Sequence, residues 1–351
     1  MKKYFPLLVK ICLISVYVII LAGATVRMTG SGMGCPDWPK CFGHLIPPTN
    51  EDELNWKENT EFKKGLIIIK DEALFVAKKN FRTTSEFNLK NWNRYTKHDY
   101  AEFNVMHTWV EYINRLATVV SGVFFLILII GSLKFWKENK KIVLLSFLAL
   151  FLMVFEAWLG KTVVDSNLAI SKITIHMLVA LLIVALLLTL RYITVQQKPF
   201  KYDKLFSGLL LFVFALTILQ IVLGINVREF VDEQLKRVGI GNKSFIELEE
   251  NTKFMIHRSF SIVLVLLNVW LYIRNRKLKL GYKLPFWILA ILAVEILAGV
   301  AMQYADFPFG SQVLHLLFAA LLFGVQFYLI LEVWGLKLTS SIATRRSPLN
   351  V

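Results

Sequence analysis

The chain lacks the fingerprints of soluble nucleotide and metal enzymes. No Walker A loop, no His-Glu-x-x-His helix and no Gly-x-Gly-x-x-Gly turn occurs in its 351 residues, which removes the phosphate-cradling, zincin and dinucleotide-binding readings. Charge is scarce as well. Asp, Glu, Lys and Arg make up 19% of the residues against 56% hydrophobic, and the mean hydropathy is +0.55. A soluble domain of this length carries more charge and shorter apolar runs.

What the chain has is long apolar runs. A bilayer-spanning helix needs about 20 mostly apolar residues. Eight such runs occur, near 5–26, 105–133, 142–163, 173–193, 205–226, 254–273, 284–303 and 311–334. Lipid cannot satisfy an open backbone, and these runs are far too long for barrel strands. The expected fold is therefore an all-α integral membrane protein of eight transmembrane helices. The first run has a basic start and an Ala22-Gly23-Ala24 that resembles a signal-peptide cleavage site. It is read as a retained helix, because its end recurs later in the chain.

Short loops give the orientation. Segment 134–141 holds four Lys and one Glu, 191–204 four basic residues and one Asp, and 274–283 five basic residues and no acid. With eight spans these share one side with Lys2, Lys3, Lys337, Arg345 and Arg346. By the positive-inside rule that side is cytoplasmic, and so are both termini. The net charge of +15 then reflects topology, and lipid rather than nucleic acid is the expected partner. Opposite lie a long extracytoplasmic loop, 28–104, with 11 basic and 11 acidic residues, and a shorter loop, 227–253.

The chain also repeats itself. Gly23-Ala-Thr-Val26-Arg27 ends run 1, and Gly224-Ile-Asn-Val227-Arg228 ends run 5. Glu156, Gly160 and His176 have the same spacing as Glu295, Gly299 and His315, and Asn114-Arg115 matches His257-Arg258. Helices 1–4 therefore repeat as helices 5–8 in the same orientation, which predicts two pseudo-symmetric four-helix bundles. The expected halves are 1–200, with the long loop, and 201–351.

Of six histidines, His44 and His98 fall in the outer loop and are read as solvated. His107, His176, His257 and His315 each begin an even-numbered helix, at one depth. Polar residues in spans face bundle interiors, so four histidines at one depth point to metal or haem sites between helices. His257 and His315, one per facing helix, suit the axial pair of a b-type haem. Zinc fits less well, since no third or fourth ligand is evident. Arg228 and Arg258 lie close in depth and could hold haem propionates or anchor the interface.

The first half is less regular. His107, Glu111 and Asn114 form one helical stripe. Phe254 stands where the first half has Glu111, and Asn114 stands where the second has His257. The two pockets thus differ by one carboxylate and one histidine: one reads as a closed electron-transfer site, the other as an open site beside an acid. The plainer role for Glu111 is an i,i+4 pair with Arg115. Glu156 and Glu295 could bond across helices or relay protons. Cys12 lies inside helix 1. Cys35 and Cys41 lie in the outer loop, where a disulfide and a redox-active pair both fit.

The run Thr29-Gly-Ser-Gly-Met-Gly-Cys35-Pro-Asp-Trp-Pro-Lys-Cys41 follows a Gly-x-x-Val-Arg helix end. Together with Glu111-Tyr-x-Asn-Arg115, His176, His257-Arg258 and His315, it resembles the haem A synthase family over nearly the whole chain. The resemblance implies an oxidoreductase of the bacterial plasma membrane that oxidises a ring methyl of haem O to a formyl group, apparently by successive hydroxylations. It implies haem b (iron) between His257 and His315, with Arg228 and Arg258 beside it. It implies substrate haem near Glu111 and His176, with His107, Asn114, Arg27 and Arg115 lining that half, and a cysteine pair at Cys35 and Cys41. Haem O synthase, cytochrome oxidase assembly and a second copy of the chain are the implied partners. Many members have a histidine at the position of Asn114. His107 is the candidate replacement, about 10 Å further along the helix; a single-ligand site through His176 is the other arrangement. Rival readings are a quinol-linked di-haem cytochrome b, which leaves its haem unchanged, and a transporter.

Overall fold

The computed structural model describes residues 2–96, 103–196, 200–238 and 251–344. His98, Arg345 and Arg346 lie outside the described residues. Eight helices are long and apolar enough to cross a membrane. They are α1 (Phe5–Met28), α2 (Val105–Ser132), α3 (Lys140–Asp165), α4 (Ile170–Thr194), α5 (Lys204–Val238), α6 (Thr252–Lys277), α7 (Leu284–Tyr304) and α8 (Ser311–Thr344). All eight expected runs are present.

Helix starts follow capping chemistry. Asn104 and Asn251 sit before α2 and α6, and their side chains accept the N–H groups of His107 and Phe254 at 3.1 and 3.0 Å. Asn104 lies ten residues before Asn114, whereas Asn251 lies six before His257, so α2 begins one turn further out than α6. His107 belongs to that extra turn.

Consecutive helices pack antiparallel, α1 on α2, α3 on α4, α5 on α6 and α7 on α8. The two bundles meet along α1, α4, α5 and α8. Ile221, Ile225, Ala320 and Phe323 of the second half join Val16, Ile20, Leu181 and Val184 of the first in one buried cluster. A separate cluster around Phe206, Leu210, Leu264, Leu271, Ile288 and Leu329 fills the second bundle.

Two features depart from the expectation. Helix α5 runs to Val238, well past the apolar run, so the start of the shorter loop is helical. The long loop also contains strands. It holds β1 (Glu61–Phe62), β2 (Ile67–Lys70), β3 (Ala73–Ala77), β4 (Phe81–Arg82) and β5 (Trp92–Arg94). Strands β2, β3 and β5 form an antiparallel sheet in that order, and β1 pairs with β4. Phe62 and Phe81 pack edge-on against Trp92, with centroids 5.1 and 5.2 Å away, to give the module its own small core.

Candidate functional site

The repeat acquires chemical meaning at the end of the bundles that carries the long loop. In the second half, His257 of α6 and His315 of α8 face each other with ring centroids 6.3 Å apart and planes at 74°. A metal about 2 Å from a nitrogen of each ring, with each ring centre about 1 Å further on, needs a centroid separation of about 6 Å. The pair therefore has the spacing of two axial ligands. Glu295 of α7 fixes one of them. Nδ1 of His315 lies 2.5 Å from a Glu295 carboxylate oxygen and 3.1 Å from its backbone carbonyl, which leaves Nε2 as the nitrogen not engaged by Glu295. Gln220 of α5 donates to the His257 carbonyl at 2.9 Å, tying α5 to α6 at this level. The Nδ1 of His257 is buried without a partner in the described structure.

Glycine sets how closely the helices approach. A Cβ on Gly224 would lie 3.1 Å from Cε1 of His257, and one on Gly299 would lie 3.8 Å from Cε1 of His315. The Cε1 corner of each imidazole lies against bare backbone.

The first half builds the same frame with different residues. Glu156 of α3 lies 2.9 Å from Nδ1 of His176 on α4, the counterpart of the Glu295–His315 pair. A Cβ on Gly160 would lie 3.5 Å from the His176 ring. Gly23 faces Asn114 as Gly224 faces His257, and its Cβ would lie 4.0 Å from Asn114 Oδ1. Asn114 stands where His257 stands in the repeat, and its Oδ1 is buried with no partner among the described residues. His107 is half-buried on the extra turn of α2, where Gly34 backs onto its carbonyl.

Glu111 is 4% exposed, and both of its carboxylate oxygens are engaged. Arg115 donates to one at 2.5 Å and the backbone N–H of Cys35 to the other at 2.9 Å. Arg115 also donates to the carbonyls of Asp37 and Lys40, both at 2.8 Å. Thr108 adds a bond to the Gly34 carbonyl at 2.8 Å. The loop closed by the Cys35–Cys41 disulfide is thus strapped to the outer turns of α2. The i,i+4 pair expected for Glu111 exists, and it also holds the cysteine loop. Burial pushes the Asp37 carboxyl above its ordinary pKa, against the bond it accepts from Gly43 N–H at 3.0 Å. His44, expected in solvent, is half-buried, with backbone bonds to Cys41, and burial lowers its pKa.

The arginines at the repeated helix ends share one acid: Arg27 and Arg228 both pair with Asp232. The Arg258 guanidinium lies 5.7 Å from the Phe254 ring centre. Asp232 was invisible as a site residue, although its i,i+4 spacing from Arg228 was a usable signal. Among the described residues no group of three or more His, Cys, Asp or Glu side chains could hold a metal ion.

A family model described as cytochrome oxidase assembly protein, COX15-CtaA, matches residues 7–72 and 65–327. The haem A synthase of Wolbachia pipientis from Culex pipiens is 24% identical, over 91% of this chain and 94% of its own. The haem A synthase of Ehrlichia canis is 25% identical over 93% and 92%. That of Pelagibacter ubique is 30% identical over 63% and 60%.

Proposed function

The chain belongs to the COX15-CtaA family of cytochrome oxidase assembly proteins, and from that premise we propose that it is a membrane oxidoreductase that converts haem O to haem A for terminal oxidases. The observation that carries the reading is the His257–His315 pair set against its repeat, which has Asn114 and His176 at the corresponding positions. One bundle has two imidazoles at ligand spacing, and its repeat has one imidazole, an amide and a buried acid.

In this reading the 201–351 half holds haem b between His257 and His315, and the 1–200 half takes haem O at His176. Both termini face the cytoplasm in the plasma membrane, and the cysteine loop lies outside. When bound, haem supplies the iron redox chemistry by which the ring methyl becomes a formyl group. The protein contributes position and electrostatics. Glu295 and Glu156 orient their histidines. Asn114 and His107 line the substrate side. Arg27, Arg115, Arg228 and Arg258 supply positive charge at the loop end of the bundles. Glu111 provides a buried carboxylate beside the substrate half, positioned by Arg115 and Cys35, to hold or pass a proton. Its exchange would be linked to the cysteine loop that shares its oxygens.

The test is Glu111→Ala in cells that also make haem O. Haem A should vanish from extracted haems while haem b stays bound to the purified protein. A normal haem A yield would remove Glu111 from the reaction, and a protein that purifies with haem b but never alters haem O would favour the electron-transfer rival.

A further inference from the structure

Asp232 has no counterpart in the first half. Counting along the repeat, its equivalent is Ser31, a fully buried residue whose Oγ lies 2.6 Å from the Thr29 hydroxyl. The acid exists because α5 continues to Val238, whereas α1 stops at Met28. It reaches both repeated arginines at once. Arg27 donates from Nε and Nη2 to one carboxylate oxygen at 3.0 and 2.8 Å. Arg228 approaches the other oxygen at 2.8 Å and donates to the Arg27 carbonyl at 3.1 Å.

Two guanidinium groups share one carboxylate, so the cluster keeps a net positive charge. The Nε of Arg228 is buried with no acceptor in the described structure. The Asp232 side chain is 30% exposed, against 18% for Arg27 and 16% for Arg228. The acid is the member of the cluster that can swing out while the cations stay. Each arginine lies four residues beyond Gly23 or Gly224, about 6 Å outward from the level of Asn114 and His257. An arginine fork suits a carboxylate, which it binds bidentately.

We infer that Asp232 is an internal counter-ion, holding the two arginines in the absence of a ligand, and that the carboxylates of an anionic tetrapyrrole must displace it to bind. The inference rests on the haem reading above. It makes Asp232 a positioning residue that sets the preference for a free-acid tetrapyrrole over an uncharged one.

The test uses the full-length protein purified with the haem it retains. It is titrated optically with haemin and with haemin dimethyl ester, as wild type, Asp232→Asn and Asp232→Ser, the last copying the residue at 31. Both variants should bind haemin about tenfold more tightly, with affinity for the ester unchanged. Asp232→Glu should behave as wild type. An unchanged haemin affinity, or an equal change for acid and ester, would overturn the inference alone. Weaker haemin binding with a lower melting temperature would overturn it too and make Asp232 a structural clasp. No uptake of either compound by the wild type would overturn the haem reading and this inference with it.

Discussion

The carboxylate of Glu295 reaches across from α7 to Nδ1 of His315 at 2.5 Å, and Glu156 repeats the contact to His176 at 2.9 Å. A ligating imidazole whose second nitrogen donates to a carboxylate is fixed in tautomer and more basic, and loss of such partners costs about 10–100-fold in metal affinity. Glu295→Gln should therefore lower haem b retained after purification by about tenfold or more. Glu156→Gln should leave haem b intact and weaken only the substrate half. Pyridine haemochrome assays on both proteins check the pair. Equal haem b loss in the two would mean that the halves do not divide the labour as proposed.

Gly224 and Gly23 make a second contrast. A methyl group makes ordinary contact at about 3.5–4.0 Å. At Gly224 it would sit 3.1 Å from His257 Cε1, and at Gly23 it would sit 4.0 Å from Asn114 Oδ1. Gly224→Ala should push the His257 ring aside, broaden or shift the low-spin haem b signal in electron paramagnetic resonance and reduce haem content several-fold. Gly23→Ala should leave that signal unchanged. An unperturbed signal in Gly224→Ala would show that His257 is not held against α5 when haem is bound.

Much of this was legible because membrane helices announce themselves over some twenty residues, and because a repeat shows any spacing twice. The Glu-Gly-His spacing of α3–α4 and α7–α8 marked Glu156 and Glu295 as acids able to bond across helices, and each lies against a histidine of the next helix. The β module was not legible. Its hairpin turns at Asp71-Glu72, with φ of 48° and 56°, where the common signal is Asn or Gly. The extension of α5 was missed because hydropathy stops at charge, while Arg228 and Asp232 favour helix locally through their i,i+4 pair. The role of Asp232 needed Arg27, some 200 residues away in sequence, which only packing brings near. Glu111 was legible as an acid in a stripe, but its bond to Cys35 depends on how the loop folds back.

The lower core of the second bundle is more polar than its repeat. Gln326 of α8 donates to Asn268 of α6 at 3.2 Å through the bundle interior, and both lie eleven residues below the histidines. Phe125 and Leu187 hold the equivalent places in the first half, both fully buried. Gln326→Leu alone strands the Asn268 oxygen and should cost about 1–2 kcal/mol of stability. The double variant Gln326→Leu with Asn268→Leu should recover most of that, because it removes donor and acceptor together. A thermal-unfolding double-mutant cycle in detergent reads the coupling. Additive losses would show that the two amides do not act as a pair.

Asn114 turns an Oδ1 with no partner among the described residues toward Gly23, at the position that His257 holds against Gly224. If the frames are equivalent, Asn114→His places a second imidazole opposite His176 in a pocket already shaped for one. A haem held there would then have both axial positions taken. The purified variant should show two low-spin bis-histidine signals, where one is expected of the wild type. His107→Ala in the wild type separates the remaining possibility. If His107 supplies the second ligand despite its extra seven residues, that change will alter the substrate-haem spectrum. If His176 is the single ligand, it will not, and the Asn114→His variant will be the form in which both bundles bind haem alike.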